Sequence, residues 1–502
     1  MSQAIGTERV SRVTGYIVTK GNFSNNTPNL PQRIALLAEA NFANQSTLDT
    51  TPKEITSLKQ AGDLYGYGSP IYHAVRILRP ISGSGIGGVP LYVYPQAQAS
   101  GATAKIWEIV PSGTATGNGT HTLKISGRKV IDGQSYDFNI VSGDTVAQIN
   151  AKIVECVNKV LGSPVDAVNF GYEVDLTSKW KGLTANDIAV SIDDNDSETG
   201  VTYTITSRQN GSGTPSIATA LTDFGNTWNT VVINGYGLQS TIMASLMANN
   251  GIPATDNPTG RWSGDIMKPY IAFTGSTADN PSTTTDSYKE DVTIAVCPAP
   301  LSEGLHIEAA ANYALLYVNY AQNNPNLDIS GKFLPDMPTP TSIGSMSDYN
   351  NRDSYVQKGC STVDLVSGKY KVMDFVTTYH PDGELPPQFR YVRNITIDLN
   401  IKFGYYLLEQ INVVDHSIAN DEDIVSAASV IKPKQWKGIV SKFADNLAER
   451  GLIADAEFMK ESITVSISTT NPDRIETFFR YKRSGYVRIA STVAEAGFNF
   501  GN

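Results

Sequence analysis

Gly83, Gly85 and Gly88 fall at G-x-G-x-x-G spacing, which lets a backbone turn cradle a pyrophosphate where a strand leads into a helix. Here the run from Ser69 to Leu78 before the glycines reads as a helix and VPLYVY after them as a strand, the reverse order, so they are read as a turn. The acidic run Asp193-Asp194-Asn195-Asp196-Ser197-Glu198 alternates oxygen ligands, but the position where a calcium loop needs glycine holds Glu198 or Thr199, depending on the start of the count. It reads as a solvated turn. His73, His121, His306, His380 and His416 are scattered, and none sits in a nucleophile or acid-base signature; His416 in VDHSIANDED has the most carboxylates near it in sequence. Cys156, Cys297 and Cys360 are odd in number and far apart, which fits buried free thiols rather than disulfides or a zinc cluster. The sequence has neither G-K-[ST] nor an H-E dipeptide, and so neither a P-loop nor an H-E-x-x-H zinc helix. No catalytic, cofactor or metal residue is expected, and the protein is read as a non-enzyme.

The elements carry more information. With 502 residues, about three domains are expected. Only 18% of residues are charged, while Gly, Ser, Thr and Asn are abundant, so strand-rich folds are favoured. The 39 Lys and Arg against 49 Asp and Glu leave a charge of −10, which argues against a general nucleic-acid surface. No signal-peptide core opens the chain, and its most apolar stretch, Ala309 to Ala321, is broken by Asn312 and Asn319. Neither secretion nor membrane spanning is expected, and a reducing compartment follows most simply.

Arg12 to Lys20 (RVTGYIVTK) reads as an isolated strand on an arm. Arg33 to Ala40 is an apolar run, Pro52 to Ala61 has helical spacing, and Ser69-Pro70 opens a helix through Leu78. From Thr103 to about Thr206 the chain reads as short strands around one helix, Asp144 to Leu161, with Asp144 as N-cap and Gly162 closing it. Loop-like flanks make this a strand-rich domain inserted into another. Strands and helices then alternate through TVVING, LQSTIMASLMAN, KPYIAFTG, DVTIAVCP and a helix from about Ser302 to Gln322, which indicates an α/β layer. Asn323 to Asn351 is loop chemistry of a length usually functional or laid on a partner, and STVDLVS and KYKVMDFVTTY are strands joined by a Ser367-Gly368 turn. Near the end, Pro433 to Arg450 is an amphipathic helix with Trp436, Ile439, Val440, Phe443 and Leu447 on one stripe. Three strand candidates follow, Ser462 to Ser468, Arg474 to Arg483 and Gly485 to Val493, the last two forming a hairpin at Ser484-Gly485 or separating there. From residue 391 onward 13 basic residues nearly balance 14 acidic ones.

The order of these pieces resembles the contractile tail sheath proteins of bacteriophages, in the transposable-phage-like subgroup with an inserted outer domain. The similarity is carried by RVTGYIVTK, PQRIALLAEA and the A-x-x-x-Y-G-x-G-S segment from Ala61 to Ser69; by GTHTLKISG, SGDTVAQINAKIVECVN and PVDAV; and by RYVRNITIDLNIKFGYYLLEQ, IKPKQWKGIVSKFADNLAERGLI and NPDRIETFF. Asn350 to Pro387 has no counterpart in the pattern, and DEDIVSAA stands where a glycine turn is usual.

The resemblance implies an α/β (α+β) multidomain protein: an N-terminal exchange arm (1–21), a discontinuous α/β middle domain (22–102 and 207–387), a β-rich outer insertion (103–206), a closing domain of helices on a small mixed sheet completed by neighbours' strands (388–484), and a C-terminal exchange arm (485–502). It implies a virion subunit, assembled in the host cytoplasm as hexameric rings around an inner tail tube, with baseplate and terminator proteins at the ends and no direct nucleic-acid or membrane partner. Carried over by position, strand exchange would use Val13, Tyr16, Ile17 and Val18 of one arm, Tyr486, Val487, Ile489 and Val493 of the other, and Ile463, Val465, Ile467, Ile475, Phe478 and Phe479 of the acceptor strands. Lys434, Lys437 and Lys442, opposite the apolar stripe, would face an acidic tube. A tailocin or other injection-machine sheath shares this reading. The enzyme alternative is a hydrolase joining His380 or His416 to Asp421 or Asp423.

Overall fold

The run RIALLAEA becomes β1 (Ile34–Glu39), buried at every position, as expected of a strand covered on both faces. The structure, a computed structural model, describes residues 28–254, 256–264, 267–427 and 429–498; the arm strand read at 12–20, with Val13, Tyr16, Ile17 and Val18, lies outside them. The chain divides into a larger unit, 30–400 with 486–502, and a smaller unit whose described part is 28–29 with 401–485.

In the larger unit, Lys53 and Glu54, read as part of a helix, instead form β2 (Lys53–Glu54), paired with β3 (Leu91–Gln96). The helix α1 (Leu58–Tyr65) starts only after Ser57, whose hydroxyl accepts from the Gln60 N–H at 3.2 Å. Ser69 likewise caps α2 (Pro70–Leu78), accepting from the Tyr72 N–H at 3.0 Å, with Pro70 in the first turn where no N–H is needed.

The chain then builds β4 (Ala104–Pro111), β5 (Gly119–Ile125), β6 (Val130–Ile131), β7 (Gln134–Ser135), β8 (Asp137–Ile140), α3 (Val146–Asn158), β9 (Val165–Asn169), β10 (Val174–Lys181), β11 (Val190–Asp193) and β12 (Tyr203–Gln209). They form antiparallel sheets ordered β12-β4-β10-β9 and β11-β5-β8, with α3 packed on β8 and β9. The N-cap of α3 is Thr145, whose N–H donates to Gln148 Oε1 at 2.9 Å, and not Asp144, which instead accepts from the Val141 N–H and pairs with Lys152. The helix ends at Asn158, before Gly162.

After α4 (Ala218–Asp223) come β13 (Val231–Asn234), α5 (Ser240–Asn250), β14 (Ile271–Ser276), α6 (Ser282–Thr285), β15 (Ile294–Pro298), α7 (His306–Asn323) and α8 (Tyr349–Gln357), the last beginning within the final three residues of the stretch read as loop, Asn323 to Asn351. The main sheet runs β15-β14-β13-β1-β3-β2, parallel except for β2. Helices α2 and α7 pack together against it, and Phe273 meets Tyr317 and Phe375 at ring distances of 5.2 Å in the core. The hairpin of β16 (Thr362–Val366) and β17 (Lys369–Asp374) turns at Ser367-Gly368, both with positive φ, as expected.

The long α9 (Val392–Asn412) gives residues to both units. In the smaller unit follow β18 (Ser417–Ile418), β19 (Val430–Ile431), α10 (Pro433–Glu449), α11 (Ala456–Ser462), β20 (Thr464–Ile467) and β21 (Ile475–Phe478). Its core gathers Trp436, Val440, Phe443 and Leu447 of the expected stripe around Tyr405, with Ile439 at its half-buried margin. Trp436 Nε1 donates to Thr477 Oγ1 at 2.9 Å, fixing α10 on β21. The segment 485–493, read as a strand, forms neither strand nor hairpin in this chain.

Candidate functional site

The crevice where an open parallel sheet usually binds its ligand lies beyond the carboxyl ends of the strands at a topological switch point. Here β1 is flanked by β3 and β13, so the switch point falls beside Glu39. Residues 180–187, leading out of β10, fill that position. Trp180 Nε1 donates to Thr184 Oγ1 at 2.9 Å, Thr184 lies 3.4 Å from Glu39 Oε2, and Asp187 pairs with His306, whose Nε2 lies 2.9 Å from the Gly235 carbonyl. Burial pushes the Glu39 carboxyl up to about 8, the Thr184 hydroxyl offsetting part of this. Burial pulls the His306 imidazole down, but Asp187 and the Gly235 carbonyl together hold it above its ordinary value. The crevice therefore docks one part of the chain on another.

A second docking cluster was not legible in sequence. Glu308, its side chain 1% exposed at the head of α7, pairs with Arg76 at 2.7 Å and Arg128 at 3.2 Å, and Asp336 takes the same two guanidiniums at 2.7 and 2.6 Å. Asn312 donates to the Asp336 carbonyl at 2.9 Å. The long irregular stretch is thus tied to its own chain through Asp336. The available signal was a lone carboxylate opening the most apolar helix, which cannot be buried without partners.

The five histidines have different surroundings. His73 is buried and pushed down to about 3 by desolvation. His121 lies between Tyr203 and Thr199, and His306 holds Asp187. His380 contacts the Thr378 carbonyl and Asp286, and His416 the Val414 carbonyl; the hydrolase pairing with Asp421 or Asp423 gains no support from these partners. Asp193 is taken by Lys129 and Lys124, and among the described residues no group of His, Cys, Asp and Glu could hold a metal ion. All three cysteines are free and buried. No described helix is long and apolar enough to cross a membrane.

Strands β20 and β21 pair only with each other among the described residues, so each presents an open edge. Ile463 is buried, Val465 and Ile467 are half-buried on one face, Ile475 is half-buried on β21, and Phe479, just past its end, meets Tyr405 at 5.2 Å. Phe478 points the other way and is 54% exposed. Val487, Ile489 and Val493 are 83%, 84% and 90% exposed, whereas Tyr486 is only 36%. Lys434, Lys437 and Lys442 are exposed on α10; Lys434 also reaches Glu422 at 3.4 Å, so the face is less purely cationic than its sequence implies.

No family model matches the chain. It is similar to the tail sheath protein of the Mu-like prophage FluMu from Haemophilus influenzae, 22% identical over 432 residues and covering 84% of each chain. Among solved structures it is similar to the sheath tail protein of Desulfitobacterium hafniense (13% identity, 94% of this chain and 100% of that one, TM-score 0.43) and to that of Listeria innocua (11%, 92% and 94%, TM-score 0.43). It is also similar to a chain of the anti-feeding prophage baseplate (11%, 97% and 100%, TM-score 0.47). The similarity to the prophage tail sheath protein thus runs over most of both chains.

Proposed function

We propose that this protein is a contractile tail sheath subunit that polymerises as stacked hexameric rings around an inner tail tube and contracts to drive the tube through the host envelope during genome delivery. The observation that carries the reading is the near full-length match to a prophage sheath protein. It is supported by a C-terminal segment with exposed Val487, Ile489 and Val493 and by a two-stranded sheet with open edges. Strand addition satisfies edge donors and acceptors with little dependence on side chains, so such contacts persist while subunits rotate. At about 0.5–1.5 kcal/mol net per hydrogen bond, an added strand of roughly five bonds is worth a few kcal/mol per contact. Residues 1–21 and 485–502 serve as exchange arms, 103–206 as the outer domain, and baseplate and terminator proteins cap the ends. A phage-tail-like bacteriocin or other injection-machine sheath is the related alternative, decided by whether capsid genes neighbour the gene.

Purified protein is expected to form rings or tubes in electron micrographs, and deletion from Gly485 onward to leave soluble, unassembled subunits. Tubes persisting after that deletion would sink the exchanged-strand account. Charge reversal at Lys434, Lys437 and Lys442 together is expected to abolish assembly on isolated tail tubes while leaving self-assembly intact, as seen by co-sedimentation; equal loss of both would remove the tube-facing role.

A further inference from the structure

The C-terminal segment is not uniformly exposed. Between Val487 and Ile489, both more than four-fifths exposed, the Arg488 side chain is only 15% exposed. Its guanidinium pairs with Asp328, whose side chain is 1% exposed, donates to Ser330 Oγ at 3.3 Å, lies 3.6 Å from Asp374 and stacks 3.7 Å from the centre of the Tyr391 ring. Tyr486, two residues earlier, lies under the Arg393 guanidinium at 5.4 Å. Upstream, the Ser484 N–H donates to the Leu452 carbonyl at 3.0 Å, within the smaller unit, while residues from Tyr486 onward belong to the larger one. A planar guanidinium held by two carboxylates and an aromatic face is the strongest side-chain anchor this segment could carry. Vacating the socket would take the Arg488 guanidinium from Asp328, which is buried, and from Asp374, which is half-buried, and the loss at Asp328 is costly.

We infer that Arg488 pins the C-terminal arm to its own subunit in a socket made by Asp328, Ser330, Asp374 and Tyr391, so that the part free to pair with a second copy of this chain begins at Ile489 and not at Gly485. The pin is a property of the single subunit; the exchange it delimits rests on the sheath reading above. Tyr486 and Val487 are thereby removed from the exchanged strand, and Ile489 and Val493 are retained in it. The arm pivots just after an ionic anchor, so a neighbour pulling on the strand loads the socket and spares the upstream strand β21.

Limited trypsin digestion of the full chain reads the pin directly, because trypsin cleaves after arginine and Arg488 is itself the buried side chain. Asp328→Asn keeps the shape of the socket but removes its charge, and cleavage after Arg488 is expected to quicken at least about tenfold, while cleavage after Arg480 in the smaller unit is unchanged. The double variant Asp328→Arg with Arg488→Asp is expected to restore folding-state protection of the following bond in an enzyme-independent readout, amide hydrogen exchange over residues 489–498. Unchanged cleavage in Asp328→Asn, or no recovery in the double variant, would overturn the pin. Mixing separately purified Arg488→Asp and Asp328→Arg subunits tests which copy fills the socket: tubes from the mixture but from neither protein alone would mean that a neighbour's arginine enters it, overturning the assignment to its own chain. Failure of the sheath reading would show differently, as wild-type protein that forms no tubes while the digestion results still stand.

Discussion

Glu308→Gln destabilises the protein by about 3–5 kcal/mol in urea or thermal unfolding, the cost of removing one partner from a buried ion network. The side chains of Arg76 and Arg128, each 11% exposed, would then share only Asp336. The loss falls on the contact that ties the segment after β5 to α2 and α7, so hydrogen exchange should rise first around Arg128. The same network sets an acid limit. Burial alone would raise the Glu308 and Asp336 carboxyls, but the Arg128 and Arg76 guanidiniums outweigh it and hold both below their ordinary values of 4.5 and 3.8. A carboxylate with a depressed folded pKa contributes stability that is complete above its unfolded pKa and is lost as pH falls through the folded one. That loss therefore begins below about 4.5.

His73 acts earlier on the same descent. Its folded pKa of about 3 lies below the ordinary 6.5, because desolvation outweighs the attraction of Glu308, 3.7 Å away. The folded state binds fewer protons than the unfolded one between those values, so stability falls as pH drops from 6.5. His73→Gln should flatten the stability curve between pH 6.5 and 4.5 and leave the steeper loss below it. A slope in that window equal to the wild type's would mean that His73 is not the titrating group. Glu39 and His306 have the opposite sign: with raised folded values, their contributions are complete below 4.5 and 6.5 respectively and are lost as pH rises. The docking of the β4–β12 segment is thus limited from both sides of the pH scale.

Elements with strong local signals were legible in the sequence. Ser69-Pro70 announced α2, the stripe from Trp436 to Leu447 announced α10, and Ser367-Gly368 announced the β16–β17 turn, because cap, stripe and turn are written in adjacent residues. Helix α9 has no such local mark. Its first residues bury polar Arg393, Thr396 and Asn400 as well as Val392, Ile395, Ile397, Leu399 and Ile401, so burial there does not follow an amphipathic stripe. Lys53 and Glu54 became a strand because an open edge of β3 outweighed their helical spacing. The docking cluster was invisible for another reason: residues 76, 128, 308 and 336 meet only through the tertiary fold. The exposed segment 486–493 was legible as apolar and β-branched, but the anchored arginine within it was not, since a lone Arg near a chain end ordinarily reads as solvated.

Gly68→Ala should cost roughly 2–6 kcal/mol, about 1–3 for placing a side chain at positive φ and about 1–3 for overpacking. Gly68 is the last glycine of the A-x-x-x-Y-G-x-G-S segment, whose other members have separable tasks: Ala61 and Tyr65 are buried on α1, Gly66 ends that helix at φ 92°, and Ser69 caps the next. At Gly68 φ is 79°, and an added Cβ would stand 1.9 Å from the Ser163 carbonyl oxygen, so the backbone between α3 and β9 would have to retreat. Gly83→Ala is the matched control. Its φ of 86° carries the conformational cost, but nothing lies within 4 Å of the added atom. The difference between the two variants in unfolding free energy therefore isolates the close approach, and it should be about 1–3 kcal/mol in favour of Gly83→Ala. Equal losses would show that conformation alone explains the glycine. A larger loss at Gly68 would assign this part of the segment a physical task, holding the β4–β12 segment against the sheet of the larger unit without a side chain between them.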